Sequence, residues 1–94
     1  MNMSETFKSR YDLYYLAKKF EADGRYKEAL DAYTKVLEIT GDHILSWFYL
    51  SKLYFKLHNY EQAKKCAEKT LKLSPSWERS LRPIIDNCRS QLKR

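Results

Sequence analysis

Leu13, Leu16, Ala17 and Phe20 recur at i, i+3, i+4 and i+7, the spacing that lines one face of an α-helix. Trp47, Leu50, Ser51 and Tyr54 repeat that stripe further along the chain. Between them, Asp23-Gly24-Arg25 interrupts the first pattern at a residue that accepts left-handed backbone geometry, after which Ala29, Leu30, Tyr33, Val36 and Leu37 open a second stripe. The pattern predicts helical hairpins, with small residues at Ala17, Ser51, Ala29 and Ala63 letting paired helices approach closely. A last helix, roughly residues 76–93, has Leu81, Ile84, Ile85, Cys88 and Leu92 on one side and Arg82, Asp86, Asn87, Arg89 and Ser90 on the other, as a capping helix should. Pro83 lies inside it, so either the helix begins near Ser80 with the proline in its first turn, or it kinks there. Residues 1–9 can extend the first helix backwards, with Ser4 as N-cap and Phe7 packing.

The two patterns share a period. Tyr26 and Tyr60 are 34 positions apart, and the same offset maps Tyr15 to Tyr49, Leu16 to Leu50, Lys18 to Lys52, Ala29 to Ala63, Lys35 to Lys69 and Leu37 to Leu71. The chain resembles the tetratricopeptide repeat (TPR) family, with one unit at residues 10–43, a second at 44–77 and a C-terminal capping helix at 78–94. The second unit carries the family's pattern as Trp47, Leu50, Ser51, Tyr54, Ala63 and Pro75, with Asn59-Tyr60 at the turn. In the first, Leu13 stands where tryptophan is usual and Gly41 where proline is. The resemblance implies an all-α fold of antiparallel helical hairpins stacked as a short right-handed solenoid of about five helices.

Composition narrows the function classes. A chain of 94 residues suits one domain with one shared core, and two glycines with two prolines leave little room for a turn-rich β fold. The net charge of +6 favours acidic partners. Cys66, Cys88, His43 and His58 lack the close spacing of a zinc site, and no phosphate loop or nucleophile with a base is present, so neither metal, cofactor nor enzymatic activity is expected. Both cysteines read as buried packing residues, and both histidines as solvated. Wholly apolar runs such as Trp47 to Leu50 are far too short to span a bilayer, and the N-terminus has no apolar signal segment. The expected compartment is cytoplasm or nucleus.

In TPR proteins the first helix of each hairpin lines a concave groove. Carried onto this chain, the resemblance implies groove positions at Tyr11, Tyr14, Tyr15, Lys18, Glu21 and Ala22 in the first unit and Leu45, Phe48, Tyr49, Lys52, Phe55 and Lys56 in the second. Arg79, Arg82, Pro83 and Asp86 of the last helix would continue it. Many of these residues are rings lying off the inner stripe, more apolar surface than a one-sided helix needs, and tyrosines make good interface anchors. The competing reading is that Tyr14, Phe48 and Phe55 pack against neighbouring helices and residues 1–9. Chaperone-binding relatives hold a peptide's terminal carboxylate with a lysine, arginine and asparagine set. The matching positions here are Tyr14, Lys18, Tyr49, Arg79 and Pro83, which argues against that clamp. The leading expectation is a non-catalytic adaptor or scaffold holding an apolar, acid-flanked peptide or helix. The alternatives are an assembly subunit that pairs with itself or another repeat protein, and an RNA or single-strand binder whose rings stack bases.

Overall fold

The computed structural model describes residues 10–93, so the cap and packing expected of Ser4 and Phe7 lie outside the described residues. Among these residues the chain forms five α-helices and no strand: α1 (Arg10–Ala22), α2 (Tyr26–Ile39), α3 (Ile44–Lys56), α4 (Tyr60–Leu73) and α5 (Glu78–Leu92), with a 3₁₀ turn at Pro75–Trp77. The chain divides into two compact units, Met1–Ser46 and Trp47–Arg94.

In the first unit α1 and α2 pack against each other. Ala17 and Ala29 have no exposed surface, consistent with a contact that only small side chains permit. Ala32, Tyr33 and Val36 continue the buried face of α2, and the Tyr33 hydroxyl donates to Glu21 Oε1 at 2.7 Å, so the buried ring keeps a partner for its polar end. Leu13, Leu16 and Phe20 are only half-buried. Of the predicted inner stripe of α1, Ala17 alone is sealed.

In the second unit Ala63, Cys66, Ala67 and Thr70 are buried along α4, and Leu81, Ile85 and Cys88 along α5. Phe48 of α3 joins Ala67, Leu81 and Ile85 in one apolar cluster. Its buried hydroxyls are satisfied locally: Ser51 Oγ donates to the Phe48 carbonyl at 2.6 Å and Thr70 Oγ1 to the Cys66 carbonyl at 2.8 Å. Leu92, predicted on the inner side of α5, is exposed in its last turn.

Both hairpins turn in the same way. Gly24 and His58 adopt left-handed backbone angles, φ 78° and 64°. The Arg25 N–H reaches back to the Phe20 carbonyl at 2.8 Å and the Gly24 N–H to Glu21 at 3.1 Å; Asn59 to Tyr54 and His58 to Phe55 repeat the pair at 2.9 and 3.0 Å. These bonds satisfy carbonyls that a helix end leaves free. Asn59 then caps α4, accepting from the Gln62 N–H, whereas Arg25 at the start of α2 pairs with Glu28 instead. The C-terminal helix begins at Glu78 rather than near Ser80, because Pro75 opens a 3₁₀ turn that leads into it. Pro83 is thus its sixth residue, beyond the first turn, and the helix runs on to Leu92 without an amide hydrogen at that position.

Candidate functional site

On α1, Tyr11, Tyr15, Lys18 and Ala22 follow one another at four, three and four residues, which places them on one helix face. Tyr11 and Tyr15 expose 56% and 67% of their surface, a large ring area left to solvent. Tyr14 differs. It is buried, with its ring 5.3 Å from Tyr15, 6.2 Å from Tyr33 and 5.2 Å from His43. Glu21 is half-buried and tied to Tyr33.

On α3, Leu45 and Lys56 are exposed. Phe48 is buried under Trp77, centroids 4.3 Å apart, with Lys52 Nζ 5.3 Å from its ring. Tyr49 is half-buried and meets Phe48 edge-on at 5.2 Å, while Phe55 meets Tyr60 at 5.8 Å. On α5, Arg79, Pro83 and Asp86 are exposed. Arg82 is held by Glu78 through hydrogen bonds of 2.6 and 3.1 Å and by Asp86 at 3.8 Å. The Arg82 guanidinium beside Glu78 holds that carboxyl below the usual range. Tyr14 and Phe48 therefore spend their rings on packing, and Arg82 spends its charge on its own helix.

Sequence reasoning missed His43. Its Nδ1 lies 3.2 Å from the Ser46 backbone nitrogen and 2.9 Å from Ser46 Oγ, so the ring accepts from the first turn of α3 as an N-cap would. It also packs on Tyr14. The signal was in the period: His43 and Tyr14 are offset by 34 from Trp77 and Phe48, which stack in the same way.

Charge is distributed unevenly. Residues 47–94 hold eleven of the eighteen lysines and arginines but only four of the twelve acids. All four acids are in ion pairs: Glu61 with Lys65, Glu68 with Lys64 and Arg89, and Glu78 and Asp86 with Arg82. No described carboxylate pairs with Lys52, Lys69, Lys72 or Arg79, and the ammonium groups of Lys52 and Lys69 lie over Phe48 and Trp47. Residues 1–46, with seven basic and eight acidic side chains, are close to neutral.

Reactive chemistry finds little support. Burial pushes the Cys66 thiol up to about 11 and raises Cys88 as well, leaving both protonated and inert at neutral pH. Among the described residues no cluster of three His, Cys, Asp or Glu could hold a metal, and no helix is long and apolar enough to cross a membrane.

Paired helices with small residues at their contacts, repeated at a fixed offset, define an all-α helical-repeat protein. A tetratricopeptide repeat profile matches residues 44–77. A TPR repeat-containing protein of Methanocaldococcus jannaschii is 32% identical over 74 residues, covering 79% of this chain and 13% of that protein. The chain belongs to the tetratricopeptide repeat family. Its repeats mark a protein–protein interaction or scaffold module.

Proposed function

We propose that the module is a non-catalytic adaptor that binds an apolar polypeptide segment with acidic flanks. Tyr11, Tyr15 and Lys18 of α1, Tyr49, Lys52 and Lys56 of α3, and Arg79 of α5 are the residues that would meet it. Two observations support the reading, each within its own unit: exposed tyrosines on α1, and in residues 47–94 a surplus of cations over acids. Rings removed from water supply most of the affinity in such contacts, and surplus positive charge steers an acidic partner toward them.

The test is fluorescence anisotropy with synthetic peptides in which leucines and phenylalanines are flanked by glutamates, beside peptides with lysines in the flanks. The acidic peptides should bind and the basic ones should not. Tyr15→Ala with Tyr49→Ala should cost on the order of 2 kcal/mol of binding, about thirtyfold in dissociation constant. Binding that ignores the sign of the flanks, or a folded double variant that binds as the parent does, would sink the proposal. Oligonucleotides of equal charge serve as the control for general polyanion attraction, which falls steeply with salt.

A further inference from the structure

Away from the tyrosine face, the first unit carries an open pocket of about 220 Å³ lined by Leu13, Leu16 and Phe20 of α1 and by Glu28, Asp31, Ala32 and Lys35 of α2. A sealed cavity of about 150 Å³ is enough to admit a benzene ring, so this pocket has room for a large apolar side chain. Its floor is the stripe that the hydrophobic pattern marks for burial, and its rim is charged with both signs. Glu28 is engaged by Arg25 at 3.0 Å. Asp31 and Lys35 are both exposed, stand one helical turn apart in the acid-then-lysine order that favours pairing, and form no ion pair with any described residue. Glu61 and Lys65, with the same spacing and order on α4, do pair.

We propose that this face is a self-association surface, and that its occupant is the same face of a second copy of the chain. Around a two-fold axis a surface must complement itself. With α2 of each copy antiparallel to its counterpart, Asp31 of one meets Lys35 of the other twice over, and the stripe of each copy covers that of its partner. A single-sign rim would repel its own copy; this one does not. Residues 1–46, with seven basic and eight acidic side chains, are close to neutral, so this half of the chain adds no like-charge repulsion of its own to the contact. The surface goes beyond the peptide-binding reading and uses none of its residues.

Sedimentation equilibrium of the full chain at low salt tests the proposal. The wild type should pass from monomer to dimer mass as concentration rises. Asp31→Lys or Lys35→Glu, each at an exposed helix position and each expected to keep the wild-type helical signal, should weaken the dimer about tenfold or more by facing like charges. Mixing the two variants should restore a mixed dimer, because each then carries the sign that the other lacks. A wild type that stays monomeric up to about 1 mM overturns the proposal. So does a dimer that neither substitution weakens, which would mean that a different face joins the copies.

Discussion

Residues 34 apart do the same work in the two units where backbones touch and different work where the surface begins. Ala17 and Ser51, like Ala29 and Ala63, are completely sealed in both. Tyr14 under His43 in the first unit corresponds to Phe48 under Trp77 in the second. The inner faces then diverge. The first unit fills its interior with Tyr33, anchored to Glu21, whereas the second has Ala67 at the matching position, and Phe48, Leu81 and Ile85 gather on it. A ring closes the space in one hairpin; a methyl leaves it open for the next helix in the other. The repeat fixes the close contact and the stacking slot, while side-chain volume decides what each interior receives.

The largest expected effect separates matched leucines. Leu50 is 3% exposed, and Leu16, its counterpart, is half-buried at the pocket. Leu50→Ala should cost about 2–5 kcal/mol, the range for deleting a sealed leucine. Leu16→Ala removes area that water already reaches and should cost about 1 kcal/mol in dilute solution. Urea unfolding at low micromolar protein measures both. Equal losses would show that Leu16 is covered in solution, and the contrast between the units would collapse. If that equality appeared only at high protein concentration, the cover would be a second copy.

Much of the fold was legible because it rests on a period. Leucine stripes, small residues at 17, 29, 51 and 63, and a glycine at the first turn are all local signals. The start of α5 was left open, at roughly residues 76–78 or near Ser80 with Pro83 in the first turn, and only the 3₁₀ turn at Pro75–Trp77 decides for Glu78. The candidate site was less legible. Helical spacing places Tyr14 and Tyr15 side by side and cannot tell which of them His43 and Tyr33 will cover; the former is buried and the latter exposed. Composition gave the total charge, yet only the ion pairs show that the second unit's acids are consumed within it.

An intermediate effect concerns Cys66, whose counterpart 34 residues earlier is Ala32, also buried. Burial raises the thiol from 9.0 to about 11. The folded state therefore holds this proton more tightly than the unfolded chain. Stability is complete below the unfolded value and falls as pH rises from about 9 toward 11, by on the order of 1–2 kcal/mol. Cys66→Ala makes the second unit resemble the first at this position and should flatten that decline, read from urea midpoints across the same range. Cys88 and Tyr54, also raised by burial, leave a residual slope. An alkaline decline as steep as the wild type's would remove Cys66 as its source.

The smallest effect compares the two turns. A Cβ built on Gly24 meets nothing within 4 Å, so Gly24→Ala encounters only the backbone penalty of a left-handed residue, about 1 kcal/mol. His58 already carries such a penalty at φ 64°, offset in part by the 2.7 Å hydrogen bond between its Nδ1 and the exposed Tyr60 hydroxyl. His58→Gly relieves the backbone, forfeits that bond and frees the unfolded chain, so the net change should be a gain of no more than about 0.5 kcal/mol. His58→Ala keeps the strain and loses the bond, and should fall below the wild type. The expected order of melting temperatures is therefore His58→Gly, wild type, His58→Ala. If glycine proves worse than alanine at this position, backbone relief does not govern the second turn, and its likeness to the first is one of shape without shared energetics.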